Sequence, residues 1–138
     1  MSLVGVGLYV NHSVEAVALY QKAFGLELGY HVLNDDGSFF HSELLKKGEE
    51  MLSVVESAEK PQGWNPVQLG VGFENEEELR AAFAILKEGG VVSMDVCELP
   101  WSPCAAEVID RFGVHWYLTV PQHRPPDTFS PADMNATH

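Results

Sequence analysis

The feature of this sequence that most constrains its fold is an internal repeat. The stretch Val4–Gly25 recurs 65 residues later as Leu69–Gly90. The clearest match is between Gly5–Leu8 and Gly70–Phe73, where GVGL aligns with GVGF. Each copy has the pattern of a short apolar strand followed by an amphipathic helix. Because self-similarity at this scale marks duplicated supersecondary units, we predict two copies of one module.

Three strand-like segments follow each predicted helix. They cover 28–32, 39–45 and 51–56 after the first helix, and 91–97, 105–109 and 114–120 after the second. Turn residues separate these segments. A ferredoxin-like βαββαβ fold would allow only two strands between the helices, so we predict an α+β fold of two tandem βαβββ modules.

The predicted domain organisation follows from the same repeat. We expect a single domain over residues 1–120, with modules at 1–57 and 66–120 joined by a polar linker at 58–65. Residues 121–138 contain four prolines and no hydrophobic periodicity, which predicts a loose C-terminal tail.

Composition argues against several classes of partner. Twenty acidic residues against eight basic ones give a formal charge of −12, which disfavours binding to nucleic acid and to anionic membranes. No apolar run approaches the roughly 20 residues of a membrane span, and no secretory signal is visible, so we expect a cytoplasmic protein. Cys97 and Cys104 lack C-x-x-C spacing, and we expect them to be reduced thiols.

A family resemblance rests on five segments taken together. They are YQKAFG at 20–25, FHSEL at 40–44, GGVV at 89–92, Trp101, and DRFGVHW at 110–116. With these segments the chain, from Val4 to Val120, resembles the vicinal oxygen chelate superfamily of glyoxalase I, bleomycin-resistance proteins and extradiol dioxygenases. The strongest likeness is to its PhnB-like branch, with one departure, because that branch usually has Gly where this chain has Ala106.

The resemblance implies more than the modules themselves. It implies a curved, half-open mixed sheet around a cup, with the helices outside, and it implies a homodimer. In metalloenzymes of this superfamily the ligands come from the first and last strands of each module, and alignment places those positions at Gly5, Leu52, Gly70 and Tyr117. None of these is a good ligand for a divalent ion, so we predict neither a metal nor another cofactor.

Two displaced metal sites stay open as alternatives. A shift of two residues along individual strands would bring Gln68, Glu56 and His115 into the cup. Alternatively His41 and Glu43, which share one face of a strand, could join His115 in a 2-His-1-carboxylate site. A structural interpretation is that His41 and Glu43 simply hydrogen-bond each other or a neighbouring strand.

The remaining candidates are residues suited to a small-molecule pocket. Glycines at the start of each module leave volume for a ligand, or else serve close packing. Tyrosine and tryptophan offer apolar area with one polar group. The predicted ligand-binding residues are Tyr9, His41, Glu43, Trp64, Gln68, Trp101, His115 and Tyr117.

The function that these patterns favour is binding or sequestration of a small molecule in the cup. The alternative is a metal-dependent lyase, isomerase or dioxygenase that uses a displaced His/Glu site. A third possibility is an interaction domain whose cup is filled by its own side chains. The sequence leaves open whether the protein is an enzyme.

Overall fold

The computed structural model describes residues 5–58 and 67–121 of the chain. The chain divides into two compact units, Met1–Trp64 and Asn65–His138. Among the described residues, no helix combines the length and apolarity that crossing a membrane requires.

The first module contains one helix and four strands. They are β1 (Gly7–Val10), α1 (Ser13–Phe24), β2 (Glu27–Leu33), β3 (Phe39–Lys46) and β4 (Glu49–Glu56). The strands form a sheet in the order β1-β4-β3-β2. The sheet is mixed, because β1 runs parallel to β4 whereas the other neighbours are antiparallel.

The second module repeats this arrangement. It contains β5 (Leu69–Gly72), α2 (Glu76–Leu86), β6 (Val91–Leu99), β7 (Ser102–Ile109) and β8 (His115–Thr119). The strand order is β5-β8-β7-β6, with β5 parallel to β8 and the other pairs antiparallel. The predicted α+β fold of two tandem βαβββ modules is confirmed, and the ferredoxin-like alternative is excluded.

Each helix covers one face of its own sheet. In the first module, α1 packs on β2, β3 and β4, and Ala16, Val17 and Tyr20 are its buried apolar residues. In the second module, α2 packs on β7 and β8 through a buried stripe at helical spacing: Leu79, Ala82, Phe83 and Leu86. We call the opposite face of each sheet its open face.

The start of α1 is capped by a residue that is distant in sequence. The polar run Asn11, His12 and Ser13 is typical of a helix N-terminus, but His12 occupies the cap position with φ 61° and no side-chain capping bond. The carboxylate of Glu56, at the end of β4, accepts the backbone N–H groups of His12 at 3.0 Å and Ser13 at 2.8 Å. A residue distant in sequence therefore supplies the cap.

The start of α2 is close to the expectation. Asn75 Oδ1 accepts the backbone N–H of Glu78 at 2.9 Å, as a capping residue should. The Glu78 carboxylate reaches back to the backbone N–H of Glu74 at 3.4 Å rather than to that of Asn75. The reciprocal half of a capping box is thus displaced by one residue.

Candidate functional site

Side chains of the second module that share the open face lie in rows across its strands. The first row joins Gly70 of β5, Tyr117 of β8 and Glu107 of β7. Because successive residues of a strand point to opposite faces, the alternate residues Trp116 and Leu118 face the helix, and both are fully buried. Trp116 therefore belongs to the core of this module.

A second row runs beside the first. It joins Gly72 of β5, Thr119 of β8, Ala105 of β7 and Cys97 of β6. Most of these side chains are small. Their small size does not make this row open, because Ala105 is fully buried and a Cβ at Gly72 would lie 3.4 Å from Pro121 Cγ.

Trp101 is tied to this face by a hydrogen bond. It lies in the turn between β6 and β7, and its indole Nε1 donates to the hydroxyl oxygen of Tyr117 at 2.8 Å. Both side chains are half-buried. The bond holds two aromatic groups at one end of the open face and leaves the Tyr117 hydroxyl able to donate its own proton.

The glycines of the first strand of each module border open space. A Cβ added at Gly70 or at Gly5 would meet no atom within 4 Å. At Gly7 the nearest atom would be Ser53 Oγ at 3.8 Å, which is ordinary contact. Space above the strand accords with the distances at Gly5, Gly7 and Gly70, whereas Gly72 is closely packed, since a Cβ there would lie 3.4 Å from Pro121 Cγ.

The other predicted residues of the second module occupy different positions. His115 is half-buried on the same open face as Tyr117, opposite Ile109 of β7. Gln68 is exposed and precedes β5. Trp64 lies outside the described residues.

The first module presents Tyr9 on its open face, with 73% of the residue exposed. The assignment of Leu52 to this face was wrong. Leu52 pairs with Leu44, and both are buried on the face that α1 covers. The error arises because Gly7 pairs with Ser53, whereas its repeat counterpart Gly72 pairs with Thr119, so the first module is one residue shorter between these strands.

The register of β4 also argues against the displaced metal site that would use Glu56. Val54 is fully buried on the face towards α1, and the Glu56 carboxylate caps that helix. By strand alternation, the open face of β4 instead carries Met51, Ser53 and Val55. A thioether, a hydroxyl and an isopropyl group are poor ligands for Mg²⁺ or Mn²⁺, which prefer carboxylate and carbonyl oxygens.

His41 and Glu43 lie together, as their spacing predicts. His41 Nε2 is 3.1 Å from Glu43 Oε2, and both side chains are about one-third exposed, at 35% and 28%. The Tyr30 ring lies beside the imidazole, with centroids 6.0 Å apart. The contact between His41 and Glu43 is the one that the structural interpretation of the pair predicted. Within residues 5–58 and 67–121, no three His, Cys, Asp or Glu side chains are grouped to hold a metal ion.

The two cysteines are poor nucleophiles in this environment. Burial raises the pKa of the Cys97 thiol, and the negative charges of Asp95 and Glu107 raise it further. Burial likewise raises the pKa of Cys104. Cys104 lies within β7 and is 2% exposed.

A separate open cavity of about 360 Å³ lies at the start of α1. Its lining includes His12, Glu15, Asp36 and Glu56. Glu56 already accepts two backbone N–H groups there, and Asp36 accepts both the N–H and the hydroxyl of Ser38. Because these carboxylates serve the local structure, the cavity is a weaker candidate than the open face of the second module.

Glu107 is the residue of the open face that the sequence analysis missed. It stands directly opposite Tyr117 and is half-buried. The signal was present, because Glu107 is the one charged residue in the strand Ser102–Ile109. Recognising it required the register between β7 and β8, which the sequence does not give.

Comparison with known proteins establishes the fold. No protein-family model matches the sequence, and no curated protein sequence is similar enough to match. Protein PA1353 from Pseudomonas aeruginosa is 22% identical, with a TM-score of 0.75, over 88% of this chain and 99% of that one. A PhnB protein from Bacillus cereus, described as a putative 3-demethylubiquinone-9 3-methyltransferase, is 24% identical, with a TM-score of 0.73, over 85% and 98%.

A third solved structure has a similar fold. The fosfomycin resistance protein FosX from Listeria monocytogenes is 16% identical, with a TM-score of 0.68, over 88% of this chain and 95% of that one. The predicted likeness to the vicinal oxygen chelate superfamily, with a PhnB protein among the similar structures, is confirmed at the level of fold. At these identities the similarity carries no information about chemistry.

Proposed function

We propose that this protein binds a planar aromatic small molecule on the open face of its second module, without a metal ion and without changing the ligand chemically. The observation that carries the proposal is the Trp101–Tyr117 hydrogen bond beside the open space at Gly70. Two aromatic groups held in place next to unfilled volume favour stacking on a flat ligand. FosX, which is named for fosfomycin resistance, has a similar fold.

The residues at the positions that hold metal in this superfamily do not fit a divalent ion. Gly70 supplies no side chain, and its cross-strand neighbour Tyr117 supplies a phenol that accepts the indole N–H of Trp101. In the first module the corresponding residues are Gly5 and, after correction of the register, Met51. These residues lack the side-chain donor atoms that a divalent ion prefers. They therefore support ligand binding without a metal ion rather than Lewis-acid catalysis.

Tryptophan fluorescence tests the proposal. A panel of neutral and cationic planar aromatic compounds is titrated against the protein, with and without EDTA. We expect saturable quenching that EDTA leaves unchanged, because Trp101 is a half-buried reporter at the site. Tyr117→Phe removes the hydroxyl and should weaken binding about fivefold. Tyr30→Phe, in the first module, is the matched control and should bind like wild type.

Two results would contradict the proposal. The first is the absence of saturable binding across the panel. The second is stoichiometric retention of Zn²⁺, Mn²⁺, Ni²⁺ or Fe²⁺ after incubation and desalting, measured by elemental analysis. Retained metal would support the alternative of a metal-dependent enzyme using His41, Glu43 or His115, and alanine variants at those positions would then be assayed.

We further propose a cytoplasmic homodimer that binds neither nucleic acid nor membranes. The charge of −12 supports the absence of polyanionic partners. Exposed apolar side chains on the edge strand β2 and on its neighbour β3 support self-association, with Tyr30 65%, Leu33 54% and Phe40 64% exposed. Sedimentation equilibrium measures the mass directly, and a monomer at micromolar concentration would refute the dimer.

A further inference from the structure

Glu107 occupies a specific place in the proposed site. It is opposite Tyr117 on one side and Met94 on the other, in the row that begins at Gly70. Directly opposed residues on one face of an antiparallel pair have Cβ atoms about 5 Å apart. A ligand that lies on the Tyr117 ring is therefore within reach of the Glu107 carboxylate.

The carboxylate of Glu107 forms no ion pair with a side chain of residues 5–58 or 67–121. The ion pairs within residues 5–58 and 67–121 are His41–Glu43 and Arg80–Glu76, neither of which involves Glu107. The negative charge of Glu107 also raises the pKa of the Cys97 thiol. A half-buried carboxylate that pairs with no cation among the described residues creates a negative potential over the open face.

The surroundings of Glu107 leave room for a cationic partner. The cross-strand residues next to the Glu107–Tyr117 pair are Ala105 and Thr119, followed by Gly72. Ala105 is fully buried and a Cβ at Gly72 would lie 3.4 Å from Pro121 Cγ, so this neighbouring row is covered. The free volume lies at the other end of the Glu107–Tyr117 row, where a Cβ at Gly70 would meet no atom within 4 Å. A bound cation would gain a charge-assisted hydrogen bond there, whereas a bound anion would be repelled.

We propose that Glu107 selects ligands with a positively charged nitrogen attached to, or close to, the aromatic ring system, such as protonated aromatic amines and amidines. This inference rests on the proposed function and names its ligand class. Tyr117 and Trp101 provide the aromatic contact, and Glu107 provides the charge preference. Neutral planar compounds bind the same face more weakly, and anionic ones are excluded.

The test uses two probes of nearly equal shape. Near neutral pH 9-aminoacridine is a cation and acridine is neutral, and equilibrium dialysis measures the dissociation constant of each. We expect wild type to prefer 9-aminoacridine about fivefold, and the preference to fall as salt is added. Glu107→Gln should abolish the preference by weakening the binding of 9-aminoacridine about fivefold.

A matched variant controls for the overall negative charge of the protein. Glu88→Gln removes the same charge from an exposed position after α2 and should keep the wild-type preference. If Glu107→Gln keeps the preference, or if wild type binds both probes equally, this inference is overturned while the proposed function stands. If wild type binds neither probe saturably, the proposed function itself fails.

Discussion

The carboxylate of Asp110 accepts a hydrogen bond from the indole Nε1 of Trp116 at 2.8 Å, and both side chains are buried. The second role of Asp110 is in the turn itself, where its Oδ1 accepts the backbone N–H groups of Phe112 and Val114. The turn between β7 and β8 is thereby fixed to the core. Much of the segment DRFGVHW at 110–116 thus has a structural role. By fixing the turn, it maintains the register between β7 and β8 that places Tyr117 opposite Glu107.

Replacing Asp110 with Asn should therefore destabilise the protein. The amide offers one acceptor oxygen where the carboxylate offers two, so at least one buried donor loses its partner. We expect a loss of about 2 kcal/mol in the free energy of unfolding, measured by urea denaturation. Asp95→Asn, at an exposed position in β6, should change it by less than about 0.5 kcal/mol. Equal effects of the two substitutions would contradict this role for Asp110.

Two glycine positions should respond oppositely to alanine. A Cβ at Gly90 would lie 2.3 Å from the carbonyl oxygen of Ile109, so the backbone must move. Gly90→Ala should cost about 2 kcal/mol or more of stability. Gly70→Ala meets no atom within 4 Å and should be neutral or slightly stabilising. Thermal unfolding of the two variants compares them, and a stable Gly90→Ala protein would show that the close contact is absent.

The Glu56 cap predicts a pH-dependent contribution to stability. Partial burial alone would raise the pKa of Glu56, but hydrogen bonds from the N–H groups of Ser13 and His12 leave it lower than usual. Because folding lowers this pKa, the stabilisation is fully present above the ordinary glutamate value of about 4.3 and is lost as the pH falls through the lowered value.

Glu56→Gln isolates that contribution. We expect it to lower the free energy of unfolding by about 1 kcal/mol near neutral pH, with the difference from wild type shrinking under acid conditions. Glu27→Gln, an exposed change in the same module, is the control and should show no such trend. A difference that stays constant across the acid range would rule out the carboxylate cap.

The thiols should react slowly with iodoacetamide in the folded protein. Burial raises the pKa of both groups, which lowers the thiolate fraction available for attack. Cys104 should stay unlabelled and half-buried Cys97 should label slowly, with both reacting rapidly in urea. Mass spectrometry of peptides assigns the sites. Rapid native labelling of Cys104 would contradict its placement within β7.

The sequence determined the modules because their causes are local. The repeat, the helical stripe of α2, and Gly25 at the end of α1, with φ 65°, follow from hydrophobic periodicity and backbone preferences that each segment carries alone. The spacing of His41 and Glu43 likewise predicted their contact, since residues two apart on a strand share a face.

The tertiary structure decided everything that depends on register between strands. In the tertiary structure Leu52 lies on the face covered by the helix, Glu56 caps α1, and Glu107 lies opposite Tyr117. A change of one residue in the length of a connection reverses which face a side chain occupies, and local sequence patterns do not encode that length difference. The candidate site is built from such cross-strand neighbours, so the sequence could name its aromatic residues but not its charge.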